Sequence, residues 1–247
     1  LLTLIIVVKQ LLPEKTSEAK VSTENRAMNQ FTPHTISSGN ESQYTIQLVM
    51  GKDGKFHVDT TVNIKNTSND SWEELMFYFI PNIFTKSSME QLDRTLKVPG
   101  TVQMNKMTVD GIPVGYVLEK DTLSAPLEKS LGPGEEVSVD FSYEFTLPED
   151  GLRFTKSGNN YHLAQFYPMI ATYRNGQWNK EAYRFRGETY HTGFSDFMVS
   201  YDIPEGYTIA SSNDNEVFPS QRVGTFQVNK VKDVFIAILE DPLVIEK

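Results

Sequence analysis

The chain has 247 residues, 23 Lys+Arg against 32 Asp+Glu for a net charge of -9, and no cysteine. Without cysteine there is no disulfide scaffold, thiolate zinc site, iron–sulfur cluster or cysteine nucleophile. The acidic balance, with no basic run, argues against nucleic acid, whose affinity is built on Lys and Arg neutralising phosphates. The four histidines, His34, His57, His162 and His191, are too far apart to share a helix face, and the H-E-x-x-H zinc motif is absent.

Leu1 to Val8 reads LLTLIIVV, far short of the ~20 apolar residues a membrane-spanning helix needs. A hydrophobic strand is one reading, but the polar stretch that follows offers it no local partner. Residues 1–12 are therefore expected to be the remnant of a signal anchor or signal peptide. That expectation places the protein outside the cell, on the membrane's extracellular face or secreted. Residues 13–43, rich in Glu, Lys, Ser, Thr and Asn, read as a solvated linker.

From Tyr44 the hydrophobic period becomes two, and residues 44–247 are expected to form one β domain. Phe56, Val58, Thr60, Val62 and Ile64 alternate with polar neighbours, as do Val137, Val139, Phe141, Tyr143 and Phe145, and then Phe197, Val199, Tyr201 and Ile203. Turn signals punctuate these strands: Gly51 to Gly54, Asp110-Gly111, Gly132-Pro133-Gly134, Gly158 to Asn160, Asn175-Gly176 and Pro204 to Gly206. Asp110-Gly111 and Asn175-Gly176 accept positive φ cheaply and predict tight hairpins. The pattern predicts an all-β fold, mostly antiparallel, a curved sheet or β-sandwich with at most one short helix, placed between Ser87 and Leu96. No fixed-period repeat is present, which removes propellers and solenoids.

No complete active site is legible. The chain has no G-x-S-x-G, no G-x-x-x-x-G-K and no G-x-G-x-x-G. Ser200 and Ser212 read as surface hydroxyls near strand ends. Nine of the 36 residues from Tyr161 to Asp196 are aromatic, which favours a packed corner over a ligand cleft. Trp72 and Trp178 are expected to be buried supports. His162 and His191 could meet across strands and bind a metal, a less favoured reading. Asn40-Glu41-Ser42, Asn66-Thr67-Ser68 and Asn69-Asp70-Ser71 fit the glycosylation triplet, although turn chemistry explains two of them.

The order of short signatures carries a resemblance. A Tyr44-x-Ile46 strand precedes a long alternating strand ending in Asn66-Thr67-Ser68, then Glu74-Leu75-Met76-Phe77-Tyr78-Phe79-Ile80-Pro81-Asn82. Leu131-Gly132-Pro133-Gly134-Glu135, Ala164-Gln165-Phe166-Tyr167-Pro168-Met169-Ile170-Ala171, Asn175-Gly176-Gln177-Trp178-Asn179, Gly187-Glu188, Phe194-Ser195-Asp196-Phe197 and Asp202-Ile203-Pro204-Glu205-Gly206-Tyr207 follow. From Tyr44 to Glu240 this resembles the N-terminal β domain of aminopeptidase N-type zinc metallopeptidases, in the form of membrane-anchored bacterial members.

The resemblance implies a saddle-like β domain lying against a thermolysin-like catalytic domain that holds the zinc and begins near Asp241-Pro242-Leu243. It implies no cofactor and no catalytic residue in this chain, since the catalytic motifs are not in it. Peptide substrates would be met through the catalytic domain, and the membrane through the N-terminal anchor alone. Gln165 matches a glutamine that in many members helps line the pocket for the substrate's first residue and amine. Phe166 and Tyr167 would add an apolar or π wall; Tyr167 stands where some members place an acid, so half of that amine site is missing. The alternative is a stand-alone extracellular β-sandwich that binds or scaffolds without peptidase activity.

Overall fold

The structure is a computed structural model that describes residues 37–185, 187, 189–213 and 218–240. The expected anchor remnant, the linker up to residue 36 and the Asp241-Pro242-Leu243 junction lie outside the described residues. In chain order the strands are β1 (Asn40–Met50), β2 (Phe56–Asn66), β3 (Trp72–Tyr78), β4 (Thr101–Val109), β5 (Ile112–Pro113), β6 (Val117–Glu119), β7 (Thr122–Leu131), β8 (Glu136–Thr146) and β9 (Phe154–Ser157). They continue as β10 (Asn160–Ala164), β11 (Met169–Ile170), β12 (Thr172–Arg174), β13 (Gln177–Asn179), β14 (Ser195–Asp202), β15 (Tyr207–Ser211), β16 (Val223–Val231) and β17 (Phe235–Glu240). A 3-10 turn over Ile80–Phe84 leads into the short α1 (Lys86–Gln91), whose first turn is capped by the Thr85 side chain accepting from Ser88 N.

The fold is all-β and mostly antiparallel. A seven-stranded sheet runs β16-β14-β1-β2-β8-β4-β5, and two four-stranded sheets run β15-β17-β10-β9 and β11-β3-β7-β6. Within these ladders β1 and β14 form the parallel pair, in register from Ser42 opposite Ser195 to Val49 opposite Asp202. The alternating residues of β1, β2 and β8 put one set of side chains in the core and the other outward. β1 begins at Asn40, ahead of Tyr44, because its first inward positions are polar: Asn40 and Ser42 are buried and hydrogen-bonded, to Ala171 O and Ser195 Oγ. A polar residue on the inner face hides the hydrophobic period.

The smaller sheets cover the buried face of the large one. Phe77 of β3 meets Phe141 of β8 edge-on at 5.3 Å, and Tyr161 of β10 meets Phe56 of β2 at 5.6 Å. β17, the apolar strand near the end, is paired on both sides, by β15 and β10. Its Ile236 and Ile238 are fully buried, so this strand belongs to the domain's own core.

Much of the aromatic segment packs as expected for a corner. Trp72 packs against Trp178 at 4.8 Å with the rings tilted by 56°, and Tyr173 stands edge-on to Trp178 at 5.2 Å. Between β13 and β14 the chain has no regular structure among the described residues and is held instead by the Tyr78 hydroxyl. That hydroxyl donates to Asn179 O at 3.0 Å and accepts from Glu181 N and His191 N at 3.1 Å each. Two glycosylation triplets are occupied structurally: Asn40 and Asn66 are buried and spend their Nδ2 on main-chain oxygens. Asn69 is exposed.

Candidate functional site

The candidate site is built on the corner between β10 and β11. Gln165 turns that corner with φ 52°, a left-handed conformation uncommon for a residue with a side chain. The corner is pinned from beneath by buried tyrosines. Tyr143 Oη donates to Phe166 O at 3.0 Å, Tyr44 Oη accepts from Ile170 N at 2.9 Å, and Tyr167 Oη accepts from Val234 N at 3.3 Å. Burial pushes all three phenols well above their ordinary range, so each remains a neutral hydroxyl.

Phe166 and Tyr167 are fully enclosed. Tyr167 sits among Tyr44, Phe166 and Phe197, with ring centroids 5.3 to 5.5 Å away. Neither ring reaches the surface beside Gln165; both lie in the irregular stretch between β10 and β11 and point into the core, where they support the corner. Gln165 is 3% exposed, yet it borders two open depressions of about 520 and 450 Å³. Leu152 and Arg153 are shared by both depressions; the first also has Thr155, His162, Asp233 and Phe235, the second Phe84, Tyr183, Phe185 and Tyr190. Leu152 stands 57% exposed at φ 64°, an apolar side chain held outward by a strained backbone.

Sequence reasoning passed over Asp233, which lies in the turn between β16 and β17. Its Oδ2 accepts from Gln165 Nε2 at 3.3 Å and from the Tyr190 hydroxyl at 2.9 Å. No sequence signal pairs positions 165 and 233; the contact arises because β17 lies beside β10. The two histidines have separate surroundings. His162 lies over Phe235 at 6.3 Å, while the main chain of His191 contacts Thr172 and Tyr78. Among the described residues no group of three or more His, Asp or Glu side chains could hold a metal ion, so they do not fit a zinc site. No helix among them is long and apolar enough to cross a membrane.

The domain resembles M1 zinc metallopeptidase from Deinococcus radiodurans, with a TM-score of 0.50 and 14% identity over 83% of this chain and 43% of that one. The likeness is one of fold. A mutant of that enzyme from the same organism, bound to a Tyr-Ser-Ala substrate, matches with a TM-score of 0.50 and 13% identity over 81% of this chain and 42% of that chain. A two-domain M1 zinc metallopeptidase mutant bound to L-tryptophan matches with a TM-score of 0.50 and 12% identity over 84% and 44%. The chain spans less than half the length of these solved structures. No protein-family model matches the chain, and no curated protein sequence matches it.

Proposed function

We propose that this chain is the non-catalytic N-terminal β domain of a zinc aminopeptidase, packing on a catalytic domain and lining one side of the pocket for a peptide's first residue. The observation that carries the reading is Gln165, held at positive φ on a corner pinned by three tyrosines and bordering two open depressions. The fold likeness to M1 zinc metallopeptidases supports the same assignment at the level of architecture. A cationic terminus entering a partly dehydrated pocket needs oriented oxygen acceptors, and an amide oxygen supplies one. Phe166 and Tyr167 serve from below by fixing the corner. The sequence has no H-E-x-x-H, and in this reading the zinc and the hydrolytic step belong to the catalytic domain. The apolar run at Leu1 to Val8 supports an exported protein, tethered or secreted.

An H-E-x-x-H motif is expected in the reading frame beyond Lys247. In that longer polypeptide, Gln165→Ala should raise KM for aminoacyl anilides about tenfold or more, since a hydrogen bond to a charged group contributes ~1.5–3 kcal/mol. If both KM and kcat stay as in the parent, Gln165 is not in the pocket.

A further inference from the structure

Gln165 is restrained at both ends of its side chain. Its backbone is fixed at φ 52°, and its Nε2 donates to Asp233 Oδ2 at 3.3 Å. Among the described residues its Oε1 makes no hydrogen bond. The two ends of a side-chain amide are nearly the same size, so packing alone does not choose between them. A carboxylate does: it only accepts, and therefore holds the nitrogen and excludes the oxygen.

We propose that Asp233 is a positioning residue that sets the orientation of the Gln165 amide, nitrogen on the carboxylate and carbonyl oxygen turned away from it, so that an acceptor stands ready for an N–H donor. The proposal rests on the reading of Gln165 as a pocket residue. Asp233 is itself well placed to do this, because its turn is tied down at three consecutive residues. The Thr192 hydroxyl donates to Lys232 O at 3.2 Å, the Tyr190 hydroxyl donates to Asp233 Oδ2 at 2.9 Å, and Val234 N donates to Tyr167 Oη at 3.3 Å. Asp233 thus stands directly beside the corner that Gln165 turns. It acts through the glutamine, since Gln165 and Tyr190 both engage its Oδ2. Preorganisation of this kind lowers the ordering cost of binding, which shows in KM more than in kcat.

The test uses the 15N-labelled 247-residue chain, with the Gln165 side-chain amide assigned by its disappearance in Gln165→Leu. In the parent, one amide proton should be shifted by its carboxylate partner and exchange with water at least tenfold more slowly than in free glutamine. D233N, near-isosteric but able to donate as well as accept, should bring both protons toward free-glutamine values while the strand resonances stay in place; D233E should retain part of the shift. Should D233N fail to fold, Asp233→Ser removes the carboxylate at smaller volume. An unmoved Gln165 amide in the folded variant overturns the positioning role. In the longer polypeptide, D233N should raise KM about threefold to tenfold with kcat little changed, and add nothing to Gln165→Ala; full additivity would overturn the proposal. The resonance measurement needs no peptidase activity, so its failure is distinct from a failure of Gln165→Ala to alter KM, which strikes the pocket role.

Discussion

Lys180 and Asp121 are almost fully enclosed, their side chains 4% and 3% exposed, and their charged ends meet at 2.7 Å. The ammonium also donates to Glu181 O and lies 4.4 Å from the centre of the Tyr78 ring, while Asp121 Oδ2 accepts from Tyr183 N. Burial pulls the Lys180 amine below its ordinary range, against the opposing hold of Asp121. Removing one member of such a pair leaves the other charge buried alone, which costs about 3–5 kcal/mol, whereas replacing both is far milder. Lys180→Met should therefore lower stability by about that much in urea unfolding, and Asp121→Asn on the same background should restore part of it. A Lys180→Met chain as stable as the parent would show that the pair holds nothing in place. In the sequence these are two ordinary charges; their burial follows from the fold of the segment after β13 over β3.

Among the elements, the two tight hairpins were legible because their chemistry is local. Asn175 and Gly176 join β12 to β13 with φ 55° and 75°, and Asp110 and Gly111 join β4 to β5 with φ 50° and 77°. Both positive angles are what a two-residue turn between right-twisted strands requires. The turn at Lys120, φ 52°, between β6 and β7 carries no such signal, because lysine there is selected by nothing local. Gly39 shows a different demand. It sits at φ 77° before β1, and a Cβ there would lie 1.9 Å from Tyr173 O, whereas a Cβ on Gly176 would meet nothing within 4 Å. Gly176→Ala should cost only the ~1–2 kcal/mol of left-handed backbone. Gly39→Ala should cost clearly more, read as a larger drop in melting temperature. An equal or smaller drop for Gly39→Ala would refute the close approach of the Gly39 and Tyr173 main chains.

For the molecule as a whole, the buried tyrosines set the alkaline limit. Tyr44, Tyr143 and Tyr167 are raised above their ordinary value mainly by burial, as are the buried Tyr78 and the partly buried Tyr183. An unfolded phenol ionises near pH 10. Above that pH the unfolded state binds fewer protons than the folded one, so stability falls as pH rises; below it, this contribution is fully present. The urea midpoint is expected to drop steeply above about pH 10. Phenolate absorbance of the buried set should then appear together with loss of the β circular dichroism signal. Full ionisation of all 11 tyrosines with the dichroism intact would contradict the buried tyrosine support of the corner.

The sequence by itself determined the all-β class, the long strands around Phe56, Val137 and Phe197, the glycine-bearing hairpins and the position of the short helix. Each is written in a local period or turn residue. Gln165 was legible as a candidate only through resemblance, since nothing near it in sequence announces a corner at positive φ. Tertiary structure alone decided that Phe166 and Tyr167 support the corner from within, that β1 starts on buried polar residues, and that Asp233 reaches Gln165. These depend on which strands become neighbours, as β10 and β17 do and as β1 and β14 do in parallel, and such pairings join residues too far apart for any local pattern to record.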